Sequence, residues 1–271
     1  MQYVVTHHLY WFFFGLILVE SILIQRSHRY RYSWKESLAS LGVAIGHGVI
    51  GALFKPILLA PLLWVWNQRL FTLPLNGGWD FLLLFVGIEF FYYWYHRASH
   101  EVRWFWATHA VHHSAKHLNL SAAYRLGWTG LLSGYILFFL PLIWLGVHPI
   151  ALLTGLSLNL IYQFWIHTEL IPKLGVLEWF LNTPSHHRVH HAANSEYIDR
   201  NYGGVLIIFD RWFGTFASEA PDCLAFYGLT RPLRSYNPVT IAFYEWRRLF
   251  QDLITARTWR DCYRVILGRP T

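Results

Sequence analysis

Sixteen histidines stand among the 271 residues, and ten of them fall in four places whose spacing could hold metal. His96 and His100 form H-x-x-x-H. His109, His112 and His113 form H-x-x-H-H, and His187, His190 and His191 repeat that pattern with His186 just before it. His167 stands at the end of an apolar run. On a helix, positions i, i+3 and i+4 share one face, so each motif can aim its imidazoles at a common point. A bare cluster of this kind is costly, because protonated rings repel one another and neutral unpaired rings lose their hydration. Coordination of cations by the ring nitrogens removes both costs, so metal binding is the chemistry expected of these ten residues.

Imidazole suits zinc, copper and iron alike, and ligand type therefore leaves the metal open. Ligand number is more informative. A structural or hydrolytic zinc needs three or four ligands. Eight to ten histidines can supply two metals with several each and leave positions open for oxygen. Two redox metals beside an apolar pocket point to the activation of oxygen against unreactive C–H bonds. The rival readings fit less well. A zinc-dependent membrane hydrolase would carry H-E-x-x-H, which this sequence lacks. A histidine-rich membrane metal transporter or metal-binding protein would line a path near the bilayer midplane, whereas these histidines lie beyond the ends of apolar runs.

Those runs are the elements that must position the site. The chain is 55% hydrophobic with a mean hydropathy of +0.29, which is too apolar for an ordinary soluble domain. Apolar stretches of spanning length cover residues 8–25, 38–66, 79–95 and 128–167. The last is long enough for two crossings, with Gly146, His148 and Pro149 as the turn between them, which gives five hydrophobic passes. Lys55, Pro56 and Pro61 make residues 38–66 either one kinked span or a re-entrant hairpin. No Lys or Arg precedes the first run within residues 1–8, so a cleavable signal peptide is not expected and the run should stay as an anchor.

Arg26, Arg29, Arg31 and Lys35 follow the first run, whereas the loops at 67–78 and 146–149 offer only Arg69. The positive-inside tendency then makes residues 26–37 cytoplasmic, and counting spans puts 96–127 and 168–271 on the same side. Two crossings separate His113 from His167, an even number, so the cluster can assemble on one face. The net charge of +7 reflects this topology and anionic lipid, not nucleic acid. Cys223 and Cys262 are the only cysteines, both on the predicted cytoplasmic side, and imply no disulfide framework.

Local signals place the motifs on helices. Thr183 can serve as N-cap and Pro184 as first helical residue ahead of His186 to His191. The third span runs through Glu89 to Tyr95 directly into His96, so its helix should carry the first ligands past the hydrocarbon. His7, His8, His28, His47 and His148 receive no chemistry, and His117 stays ambiguous. Ligating histidines usually donate their second N–H to a carboxylate or carbonyl, which makes Glu101, Glu169 and Asp210 candidates for a site role. Glu101, adjoining His100, is the catalytic candidate among them. Asn119 and Tyr124 either line the pocket or pack, and Gly203 and Gly204 read as a tight turn, not a phosphate loop. Around residues 244–254, Trp246, Leu249, Phe250, Leu253 and Ile254 fall at helical spacing with Arg247 and Arg248 between them. That segment either lies along the membrane surface or packs on the catalytic cap.

The three motifs together resemble those of the membrane-bound fatty acid hydroxylase and sterol desaturase superfamily. Tyr162 to Glu169 (YQFWIHTE), Asn182 to His191 (NTPSHHRVHH), Asn201 to Ile208 (NYGGVLII), Asp210 to Phe216 (DRWFGTF) and Tyr227 to Pro232 (YGLTRP) are similar to the alkylglycerol monooxygenase branch. The likeness covers most of the chain from about residue 36. It implies two iron ions, molecular oxygen as co-substrate and, for that branch, tetrahydrobiopterin as electron donor. No haem- or flavin-binding segment is evident, so electrons are expected from a pterin or from a donor protein.

The sequence thus predicts an all-α integral membrane protein of four to five transmembrane passes, with a cytoplasmic helical cap holding a histidine-rich di-metal site. Residues 1–78 supply N-terminal spans, 79–220 the catalytic region, and 221–271 a cytoplasmic C-terminal helical segment. The expected substrate is a lipid, an alkylglycerol-type ether lipid or a fatty acyl chain, oxidised by hydroxylation or desaturation.

Overall fold

The computed structural model describes residues 2–27 and 31–270, with side chains from residue 11 onward. The side chains of His7 and His8, and residues His28 and Arg29, lie outside the described residues. Among those described, regular structure is helical, and extended pairing is confined to the isolated bridges Leu181–Leu206 and Ala192–Tyr227.

Two helices are long and apolar enough to cross a membrane, Trp34–Asn67 (α2) and Pro149–Ile166 (α7). Helix α2 follows α1 (Gln2–Ser27) and starts at Ser33, whose hydroxyl accepts from the Glu36 N–H at 3.4 Å. It runs unbroken for 34 residues with Pro56 and Pro61 inside it, so residues 38–66 form one helix and no re-entrant hairpin. Large apolar side chains face outward along these helices and their neighbours, including Leu38 (65% exposed), Leu53 (69%), Trp79 (80%) and Ile150 (69%). A surface this apolar is stable against lipid and not against water.

Helix α3 (Gly78–Glu101) is continuous through His96 and His100, as the sequence predicts. Short α4 (Arg103–His113) turns back beside it and carries the second motif. The next apolar stretch departs from expectation. Residues 128–145 do not make a single spanning helix but break into α5 (Gly130–Ser133), a 3₁₀ turn over Tyr135–Phe139, and α6 (Leu140–Trp144). Gly134, at φ +76°, takes a left-handed conformation that ends α5, and Pro141 opens α6. The gain is burial: Phe139, Leu142 and Ile143 pack with Leu84 and Ile88 of α3 and Leu152 of α7 in the largest apolar core. The turn at Gly146 (φ +106°) is where the sequence puts it, and His148 caps α7 through Nδ1, 3.2 Å from the Ile150 N–H.

The remaining helices are α8 (Pro184–His191), α9 (Ile208–Phe213), α10 (Pro238–Thr255) and α11 (Trp259–Leu267). Helix α10 packs along α4, with Trp246 and Leu249 buried against Ala107. Two buried carboxylates tie the N-terminal helices to the rest. Glu20 of α1 accepts from the Leu120 N–H at 2.8 Å and the Thr168 hydroxyl at 2.6 Å. Glu36 of α2 pairs with Arg125, whose guanidinium is 2% exposed and also donates to Ser40 and Ser114.

Candidate metal centre

Nine of the ten predicted histidines converge, and they do so as two groups. His96, His100, His109, His113 and His190 form one, and His112, His167, His187 and His191 the other; within each, the candidate ligand atoms lie within 4.8 Å of one another. Helices α3, α4 and α8 feed the first group, and α4, the end of α7 and α8 the second. Adjacent residues on α4, His112 and His113, therefore serve different groups, as do His190 and His191 on α8. That division follows from the 100° step of the helix, which splays neighbouring side chains while keeping i and i+4 together.

The ring nitrogens crowd at spacings that a bound cation would accommodate. In the second group, Nε2 of His167 lies 3.1 Å from that of His112 and 2.9 Å from that of His187, and His187 Nε2 lies 3.0 Å from that of His191. In the first, His109 Nε2 is 3.0 Å from His96 Nε2 and 3.2 Å from His113 Nε2. Nitrogens bound at about 2.1 Å to one ion at right angles sit about 3 Å apart, which matches this spacing. Backbone carbonyls fix the tautomers. Tyr202 O accepts from His96 Nδ1 at 2.7 Å, Gln163 O from His167 Nδ1 at 2.6 Å, and Arg200 O from His190 Nδ1 at 3.0 Å. With the proton held on Nδ1, each Nε2 presents a lone pair to the centre. His100 Nε2 and His190 Nε2 are buried and have no hydrogen-bond partner among the described residues. Burial pushes His190 down to about 4, and burial with the crowding of neighbouring rings pushes His109, His113, His187 and His191 well below the ordinary histidine range. Neutral rings at pH 7 are what metal ligation requires. The donor set thus fits two transition-metal ions.

His186 belongs to neither group. Its ring turns off the α8 face shared by the other three, with Nδ1 3.2 Å from Leu181 O and Nε2 3.7 Å from Glu178 Oε2. Glu101 also departs from expectation, because its carboxylate accepts from Arg97 Nε at 3.0 Å and lies 3.8 Å from Arg269 instead of meeting a ring. Thr183 occupies the N-cap position of α8, yet its hydroxyl donates to Glu178 at 3.1 Å and makes no cap bond. Glu169 is pushed up to about 7 by burial and bonds the Tyr227 side chain. Asp210 acts one step from the rings. It accepts from the Tyr202 and Gly203 N–H groups and the Thr215 hydroxyl, each at 2.7 Å, and so holds the turn whose Tyr202 carbonyl orients His96. Burial pushes its carboxyl up to about 6.

That turn is built from unusual backbone. Asp199 (φ +61°) and Asn201 (φ +57°) are left-handed and flank Arg200, and the carbonyls of Arg200 and Tyr202 face the two rings. Asn201 stabilises it by donating to His186 O and Ala217 O and accepting from the Ala217 N–H. A further network was not foreseen from sequence. Glu89 on α3 accepts from Val205 N at 2.8 Å and Leu206 N at 2.9 Å and from the Asn159 amide on α7; Asn159 in turn binds Gln163, to which Tyr92 donates at 3.0 Å. Its signal was available, since isolated polar residues in apolar helices seldom occur without a role.

Cavities border the centre on two sides. One of about 520 Å³ is walled mainly by apolar side chains, among them Phe13, Tyr124, Phe139 and Phe164, and reaches His109, His112 and His167. The other, about 310 Å³, touches His100, His113, His190 and His191 and is walled by Asp199, Glu245 and Arg248. Tyr124 therefore lines the apolar cavity, whereas Asn119 caps the turn at Leu120–Tyr124 by accepting from the Ser121 N–H at 3.0 Å.

The sequence pattern described as fatty acid hydroxylase matches residues 81–215, a stretch that holds every histidine of both groups. Residues 81–215 belong to the fatty acid hydroxylase family. Relatives extend the likeness beyond that region. The human alkylglycerol monooxygenase is 41% identical over 236 residues, which cover 87% of this chain and 52% of the relative. The alkylglycerol monooxygenase of Caenorhabditis elegans is 34% identical over 82% of this chain and 44% of its own length. An ornithine lipid hydroxylase of Rhizobium tropici is 33% identical over 52% of the chain and 43% of its own length. The chain spans about half the length of the alkylglycerol monooxygenases it matches. No solved structure matches it.

Proposed function

We propose that this hydroxylase-family protein is a membrane-bound di-iron oxygenase that uses O2 to oxidise a lipid chain. The observation that carries the reading is the position of two convergent histidine groups at the wall of a 520 Å³ apolar cavity, a volume within the usual range for a ligand site. Bound iron would supply the redox chemistry that activates oxygen toward an unreactive C–H bond. The chain's own residues do the rest. His96, His100, His109, His113 and His190 hold one ion, His112, His167, His187 and His191 the other, and the carbonyls of Tyr202, Gln163 and Arg200 keep the rings aimed. Phe13, Phe139 and Phe164 exclude water and align an apolar chain against His109, His112 and His167. The names of the relatives support an alkylglycerol-type ether lipid or a fatty acyl chain as substrate; tetrahydrobiopterin as donor, with a donor protein as the alternative, rests on the resemblance of the motifs alone. The histidine site is assigned to the cytoplasmic face of a multi-pass protein. Hydroxylation and desaturation share every one of these features.

The test is an assay of purified, iron-loaded protein with O2 and long-chain ether and acyl lipids, supplied separately with tetrahydrobiopterin and with a ferredoxin or cytochrome system. An oxidised lipid chain is expected. Product with the protein donor alone removes the pterin and leaves the oxygenase. No iron retained after purification, together with no product, removes the oxygenase.

A further inference from the structure

Among the described residues, His47 is the histidine that borders the 520 Å³ cavity yet belongs to neither group of the metal centre. It stands within α2, between the outward-facing apolar side chains of Ile45 and Val49. A polar ring in a helix apolar enough to cross a membrane requires a partner, and one of its nitrogens has one. His47 Nδ1 lies 3.0 Å from the backbone oxygen of Gly127. A carbonyl only accepts, so Nδ1 carries the proton, and in the neutral ring Nε2 keeps a lone pair.

The partner is itself fixed. A Cβ on Gly127 would lie 2.4 Å from the backbone oxygen of Thr108, so only glycine lets this peptide press against the residue that precedes His109. His47 is thereby anchored beside the metal-facing end of α4. Most other polar groups on the cavity wall are spent within the protein: Thr108 bonds Thr129, Tyr92 bonds Gln163, Gln163 bonds Asn159, and Ser157 bonds the Leu153 carbonyl. The phenols of Tyr95 and Tyr135 also border the cavity, but a phenol serves as donor or acceptor and does not discriminate. A neutral imidazole whose proton is engaged elsewhere only accepts.

We propose that His47 Nε2 receives a hydrogen bond from the hydroxyl of a long-chain lipid, which makes His47 a specificity-determining residue of the cavity. The proposal rests on the lipid reading of that cavity and sharpens it. The preferred ligand carries a free hydroxyl at its polar end, and a chain of equal length ending in an ether or ester oxygen leaves the acceptor unpaired. Leaving an acceptor unpaired discriminates against the analogue more strongly than a missing methylene does.

The experiment measures equilibrium binding of radiolabelled cetyl alcohol and of its methyl ether to the purified full-length protein in nanodiscs, without reductant. Wild type should favour the alcohol by about tenfold. His47→Phe should bring the ratio to about one, and His47→Gln, which keeps an amide N–H for Gly127 and an oxygen for the ligand, should hold a preference. Equal binding by wild type, or a preference that survives His47→Phe, overturns the proposal. A second measurement needs no variant: the Nε2 signal in nitrogen-15 histidine spectra should shift with the alcohol and stay in place with the ether, and identical responses overturn it. Because neither readout requires turnover, a lipid that binds with this preference but is never oxidised counts against the oxygenase reading alone.

Discussion

The Glu89 carboxylate on α3 accepts a hydrogen bond from the Asn159 amide on α7, and through it two apolar helices are joined by a polar contact 70 residues apart in sequence. The same carboxylate receives the N–H groups of Val205 and Leu206, so one side chain fixes α3, α7 and the loop that orients His96. Gly204 lets that loop approach, since a Cβ there would meet the Asn159 amide nitrogen at 2.4 Å.

Glu89→Ala should therefore strand three buried donors and destabilise the protein by about 3 kcal/mol. Bound metal should fall in parallel, because the loop carrying Tyr202 loses its anchor. Thermal unfolding in detergent and metal analysis of the same preparation check both. An unchanged midpoint with unchanged metal content would show that the network is incidental.

The division into two histidine groups predicts a contrast among variants. His112→Ala and His190→Ala, one from each group, should lower metal below the expected two ions per chain and reduce turnover by more than about a hundredfold. His186→Ala should retain both ions, since its ring faces Glu178 and Leu181. Equal metal loss in all three variants would contradict the grouping.

At Asn201, strain and bonding can be separated. Asn201→Gly removes three hydrogen bonds and tolerates φ +57°, while Asn201→Ala removes them and adds a left-handed penalty of about 1–2 kcal/mol. Denaturation midpoints should rank wild type above glycine above alanine. Alanine equal to glycine would mean that the turn relaxes out of its left-handed form.

Sidedness is decided by single cysteines placed in a background lacking Cys223 and Cys262. Probes at Lys116 and Ser195 should label from one side of sealed membranes and a probe at Asn76 from the other. Opposite labelling of 116 and 195 would be incompatible with one assembled centre.

The grouping of the histidine motifs was legible because i, i+3 and i+4 spacing is local and helix geometry converts it directly into a shared face. His186 and Glu101 show where adjacency misleads: each neighbours a grouped histidine in sequence, and each points to a different partner. Residues 128–145 look like a span in sequence because summed apolarity does not register the breaks at Gly134 and Pro141. The carbonyls of Arg200, Tyr202 and Gln163 could not be read at all, since every residue but its conformation looks alike at the backbone. Glu89, Asn159 and Gln163 were visible as polar residues in apolar runs, but their mutual contact depends on tertiary packing.

The Glu20 carboxylate has a consequence for biogenesis. Its two donors, Leu120 and Thr168, lie 100 and 148 residues further along the chain. As the polypeptide leaves the ribosome, Glu20 emerges long before either donor has been synthesised, and a buried carboxyl group without partners is costly. It finds them only when the segments bearing His112, His113 and His167 arrive, so α1 is secured by the same stretches of chain that bring these histidines to the centre.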